Sequence, residues 1–74
     1  MTLDMLRCGE SAYITAVSDS LELCGRLADI GLTAGSTVKC LYISPEGGTM
    51  AFLITGSVFA LRKSDCKMIT AEKT

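Results

Sequence analysis

LADIGLTAGSTV, residues 27 to 38, is where an apolar-periodic segment gives way to two glycines and then to a strand-forming run. Ahead of it Leu23, Leu27 and Ile30 recur at helical spacing, with Cys24 and Ala28 beside them and Glu22, Arg26 and Asp29 on a polar face. Gly31 comes just after the last periodic residue, the position where helices commonly end in a left-handed conformation that costs glycine nothing. Leu32 is then expected to fold back on Leu27, the apolar contact that accompanies such a cap. Gly35 serves a second turn before a strand that begins near Ser36. The two glycines reverse the chain from helix into sheet.

Toward the N-terminus, Asp19 and Glu22 have the spacing of a capping box, which predicts a helix from about Ser20 to Ile30. Gly25 inside that helix costs about 1 kcal/mol relative to alanine and predicts a close approach of another element there. Ala12 to Val17 reads as a strand, with Ala12, Ile14 and Ala16 on one face and Tyr13, Thr15 and Val17 on the other. Thr2 is expected to cap a short turn through Leu3, Met5 and Leu6.

Toward the C-terminus the chain is a meander. Ser36 to Ile43 alternates Val38, Cys40 and Tyr42 against Lys39, Leu41 and Ile43. The turn SPEGGT holds the single proline, with Gly47 and Gly48 free to take positive φ. Met50 to Ile54 and Val58 to Arg62 read as strands around a tight TGS connection, with Phe59 and Leu61 on one side of the second. KSDC is expected as a turn, Met68 to Ala71 as a last short strand, and the terminal AEKT as frayed. The fold class is therefore all-β with one short helix: five strands in a small, partly open barrel. It is read as a single domain over 1–74 with an ordered core of about 2–71.

Of the 74 residues 49% are hydrophobic and 20% charged, an ordinary globular balance. The net charge is −1. The scattered Lys and Arg, with Arg62-Lys63 the one adjacent pair, form no basic footprint for nucleic acid. The opening MTLDMLRCGE carries Asp4 and Arg7 early and does not read as a signal peptide. The longest apolar run, Met50 to Ile54, is too short to cross a bilayer, so a cytoplasmic location is expected.

Catalytic signals are absent. The chain has no histidine, and Gly47-Gly48 lacks the lysine and helix of a phosphate-binding loop. No tryptophan and only two tyrosines and two phenylalanines leave too few aromatics for a groove that takes polyproline helices. The four cysteines, Cys8, Cys24, Cys40 and Cys66, are too widely spaced for a zinc knuckle or a redox motif, and read as small, mostly buried thiols. A thiolate metal site would need distant cysteines to converge in space, and Cys8 and Cys66 are the candidates for it.

Taken in order, TLDMLRCGE, the strand, LADIGLTAGSTV, SPEGG and GSVFALRKSDCKMI resemble the ferrous iron transport protein A (FeoA) family from about Thr2 to Ala71. The most specific parts are the Leu27, Gly31, Leu32, Gly35 and Val38 spacing and the Ala60-Leu61-Arg62…Asp65 element before Ile69. Three positions depart from the family's usual pattern: Ala34 and Cys8 stand where proline is common, and Cys66 where alanine is. The resemblance implies an SH3-like barrel that is cytoplasmic, not an enzyme and without a cofactor. Its implied role is to accompany FeoB, a membrane transporter with a cytoplasmic GTP-binding domain, in bacterial ferrous iron uptake. A similar fold forms the last domain of iron-dependent repressors, whose DNA-reading helix-turn-helix domain is not expected here.

Three functional classes are open to such a chain: an accessory protein that binds FeoB, a transition-metal-binding or iron-sensing module using thiolates or carboxylates, and a small nucleic-acid-binding barrel. The acidic balance and sparse aromatics weigh against the last. For the first, the expected docking patch lies on the helix and the turn after it: Leu21, Gly25, Ala28, Thr33 and Ala34. The alternative for these residues is packing against the barrel.

Overall fold

Five antiparallel strands make one sheet in the order β4-β3-β2-β1-β5, where β1 is Ser11–Ala16, β2 Thr37–Ile43, β3 Thr49–Ile54, β4 Ser57–Arg62 and β5 Thr70–Lys73. A computed structural model describes residues 1–17 and 21–74; the side chain of Leu21 and the expected cap at Asp19 and Ser20 lie outside the described residues. Between β1 and β2 runs α1, Leu21–Asp29. The sheet curves without closing, and β4 and β5 are its two edges.

Period-2 alternation directs the inward residues. Ala12 and Ile14, Val38 and Cys40, and Met50, Phe52 and Ile54 are all buried, joined in one core by Leu3, Leu6, Leu23, Leu27, Leu32, Cys66, Ile69 and Ala71. Two bulges interrupt that alternation. In β2, Cys40 faces Phe52 and Tyr42 faces Ala51, so Leu41 is an extra residue. Past it the faces exchange: Tyr42 is exposed and Ile43 packs on the core, the reverse of the expected assignment. In β1, Ile14 pairs with Ala71 and Ala16 with Thr70, which makes Thr15 the extra residue. Ala16 therefore turns outward and Val17 inward, again reversing the expectation.

The last third differs from the sequence reading. KSDC is not a simple turn but one helical turn, α2, Lys63–Cys66, with Cys66 buried. The last strand starts two residues later than Met68, and the C-terminal residues are paired instead of frayed: Lys73 sits opposite Ala12, and the Thr74 N–H donates to the Ser11 carbonyl at 3.0 Å. The N-terminus covers the free side of β5, with the Leu3 N–H donating to Ile69 O at 2.9 Å and the Ala71 N–H to Met1 O at 2.7 Å. Thr2 precedes a 3-10 turn, Leu3–Met5, but its hydroxyl donates to the Asp4 carboxylate and makes no cap to the backbone.

Candidate functional site

The end of α1 is closed by two backbone hydrogen bonds of the Schellman type. The Leu32 N–H reaches the Leu27 carbonyl at 2.9 Å and the Gly31 N–H reaches the Ala28 carbonyl at 3.0 Å. Gly31 takes φ +87°, and a Cβ there would lie 2.8 Å from Thr55 Cγ2 in the β3–β4 turn. Leu27 and Leu32 are both in the core. Only glycine lets the helix end come this near the hairpin.

The loop from Gly31 to Ser36 is tied down along its length. The Ser36 hydroxyl donates to the Gly31 carbonyl at 2.9 Å and accepts from the Thr33 N–H at 3.1 Å. The Gly35 N–H donates to Ile14 O at 2.8 Å, and the Ile14 N–H returns to Ser36 O at 2.8 Å. Thr33 and Ala34 are thus held outward, exposed, on a loop anchored at both ends to buried structure.

Beside them Ala28 is exposed on α1. A shallow, mainly apolar groove of about 290 Å³ runs between, lined by Val17, Cys24, Ala28, Leu32, Thr33 and Ala34. The structure therefore brings together three of the five residues expected to form a docking patch. Gly25 is exposed, and a Cβ there would meet nothing within 4 Å, so the close approach expected at this glycine does not occur. It does not line the groove.

A larger groove of about 400 Å³ is not anticipated by the sequence reading. It lies between α1 and the β4–α2 junction, lined by Leu27, Ile30, Phe59, Leu61, Arg62 and the Arg26–Asp65 pair. Position on the polar face suggests a simply solvated Arg26, yet its Nη2 lies 3.6 Å from Asp65 Oδ2, a pair with Arg26 largely exposed and Asp65 half-buried that is worth little to stability. The signal for this groove is the shared apolar face of Phe59 and Leu61, with a helix that presents Leu27 and Ile30 three residues apart.

Cys8 and Cys66 are in different settings. Cys8 is exposed in a turn, whereas Cys66 is buried, and burial together with Asp4, Asp65 and Cys40 pushes its thiol up to about 12. Among the described residues no cysteine is joined in a disulfide. Among the described residues no three His, Cys, Asp or Glu side chains come together in a way that holds a metal ion. None of the described helices is long and apolar enough to cross a membrane.

A family model described as the FeoA domain matches residues 1–73. No match was found among curated protein sequences. Among solved structures, the FeoA protein of Chlorobium tepidum is 29% identical over 99% of this chain and 70% of its own, with a TM-score of 0.92. FeoA of Stenotrophomonas maltophilia, solved in complex with zinc, is 28% identical over 97% of this chain and 89% of its own, with a TM-score of 0.82. It is described as a prokaryotic SH3 domain protein and was put forward as a ferrous iron transport activating factor. A manganese-dependent transcriptional repressor in complex with manganese matches all of this chain with 36% of its own, at 20% identity and a TM-score of 0.91, a likeness of fold alone. The unclosed five-stranded sheet with its helix is the SH3-like architecture of these relatives.

Proposed function

Because the chain belongs to the FeoA domain family, we propose that it is a non-catalytic accessory protein of bacterial ferrous iron uptake that acts by binding the cytoplasmic region of an FeoB-like transporter. The observation that carries this reading is the apolar groove beside Ala28, Thr33 and Ala34, whose loop is pre-organised and whose lining contains no acid, base or cation. A pre-ordered loop loses little entropy on docking, which favours affinity from a small area. A standard interface takes about 800 Å² from each partner, roughly a fifth of the 4297 Å² surface of this domain. The groove must therefore be the centre of a patch that also covers neighbouring α1 and loop surface.

The relative from S. maltophilia holds zinc, which favours a second reading as a transition-metal module. It has less support here, because the described residues assemble no cluster of ligands.

The test is a titration against the cytoplasmic part of the transporter, with and without guanine nucleotide, using the wild type and Ala28→Glu. Ala28 is exposed, so the variant should unfold within about 0.5 kcal/mol of wild type. Its binding should weaken by tenfold or more, about 1.4 kcal/mol. Binding unaffected by Ala28→Glu would move the partner to another surface, and no binding by the wild type would end the proposal.

A further inference from the structure

Backbone geometry sets the turn that carries Cys8 against Cys40. Arg7 to Glu10 forms a turn, with the Glu10 N–H donating to Arg7 O at 3.0 Å and Gly9 at its third position with φ +87°. The Gly9 N–H then donates to Cys40 O at 2.7 Å, and the Cys40 N–H to Glu10 O at 2.9 Å. Two residues facing one across a strand pair, the first a left-handed glycine, make a G1 bulge that fixes the turn on β2. The Glu10 carboxylate ties it down further, accepting the Arg7 N–H at 2.8 Å and pairing with Lys73.

Cys8 occupies the second position of this turn and is exposed, while Cys40 beneath it is fully buried. Burial pushes the Cys40 thiol up, and the neighbouring Cys8 adds to this. Cys40 Sγ also leans on the Tyr42 carbonyl at 3.9 Å, a contact made at the β2 bulge.

We propose that Cys8 and Cys40 form a thiol–disulfide modification site whose substrate is a low-molecular-weight disulfide. Cys8 is the entry point because it alone of the two reaches solvent. Its sulfur, after losing a proton to water, attacks one sulfur of the reagent and expels the first thiolate, leaving a mixed disulfide on Cys8. Cys40 then loses its proton, and its sulfur attacks the Cys8 sulfur and expels the second thiolate. Two thiols are oxidised to one Cys8–Cys40 disulfide, and the reagent, taking two electrons and two protons, leaves as two thiols. Burial of Cys40 makes the second step the slower one, so the Cys8 adduct accumulates before the bridge closes. Closing the loop from Cys8 to Cys40 restricts the unfolded chain and stabilises the domain.

The test treats reduced full-length protein with oxidised glutathione, alkylates the remaining thiols and maps the peptides by mass. The wild type should lose two thiols, end lighter by two hydrogen atoms with no glutathione retained, and yield a Cys8–Cys40 cross-linked peptide. Its urea midpoint should rise on oxidation and return with dithiothreitol. Cys40→Ala should stop at a glutathione adduct on Cys8. Should that variant fail to fold, Cys8→Ser decides the matter: it changes an exposed turn position, and in it Cys40 should keep its thiol. A lasting adduct on wild-type Cys8, a bridge to Cys24 or to a second chain, loss of Cys40 in Cys8→Ser, or no reaction would each overturn the proposal.

Discussion

Replacing Gly31 with alanine tests how the helix end meets the β3–β4 hairpin, because two separate costs fall on one methyl group. Gly31 has φ +87°, and an L-residue in the left-handed region costs about 1 to 2 kcal/mol. The added Cβ also sits 2.8 Å from Thr55 Cγ2 and 3.0 Å from Thr55 Oγ1. Thr55 cannot move away cheaply: it is itself held at φ +49° in the turn, with its hydroxyl donating to its own neighbour's carbonyl, Ile54 O, at 2.8 Å. Overpacking of this kind adds roughly 1 to 3 kcal/mol. The sum, about 2 to 5 kcal/mol, is a large part of the roughly 4 to 11 kcal/mol expected for a domain of this length.

A double-mutant cycle separates the two costs. Thr55→Gly alone should be close to neutral, since relief of about 1 to 2 kcal/mol of backbone strain is offset by about 1 kcal/mol of chain entropy. In that background Gly31→Ala should cost only the backbone part, so the coupling read from urea unfolding is about 1 to 3 kcal/mol. Equal costs in both backgrounds, within about 0.5 kcal/mol, would show that the cap does not abut the hairpin. A cost below about 1 kcal/mol for Gly31→Ala alone would refute the left-handed cap itself.

Leu27→Ala should lower stability by about 2 to 5 kcal/mol in the same assay, because Leu27 is only 3% exposed, and an unmoved midpoint would sink the helix packing. Cys66 makes a pH prediction. Its thiol ionises near 12 when folded against 9.0 when unfolded, so its contribution is intact below pH 9 and is lost as pH rises toward 12. Cys66→Ala should therefore show a shallower alkaline decline in urea midpoint than the wild type, and identical slopes would contradict the buried setting.

Local rules are enough for the helix end, the strand cores and the family. Gly31 can be placed because a cap needs a left-handed residue just after the last apolar repeat, a requirement the neighbouring dozen residues state in full. Ala12, Ile14, Val38, Cys40, Met50, Phe52 and Ile54 can be placed because a strand buries every second residue. The groove beside the helix end is legible in part, since Ala28, Thr33 and Ala34 flank that same cap, while the lack of a close neighbour at Gly25 is not.

What only the tertiary structure decides lies where the period breaks or where distant segments meet. A bulge at Leu41 or Thr15 leaves no mark in composition, because the extra residue is defined by the pairing of the partner strand. Yet it exchanges Tyr42 for Ile43, and Ala16 for Val17, on the core side. The polar C-terminal AEKT reads as frayed, but its order comes from backbone pairing with β1, to which side-chain polarity is irrelevant. Cys8 and Cys40 likewise share no local motif. The turn that carries Cys8 meets Cys40 because a glycine at positive φ bends it onto the strand, and a contact of that kind exists only once the sheet has formed.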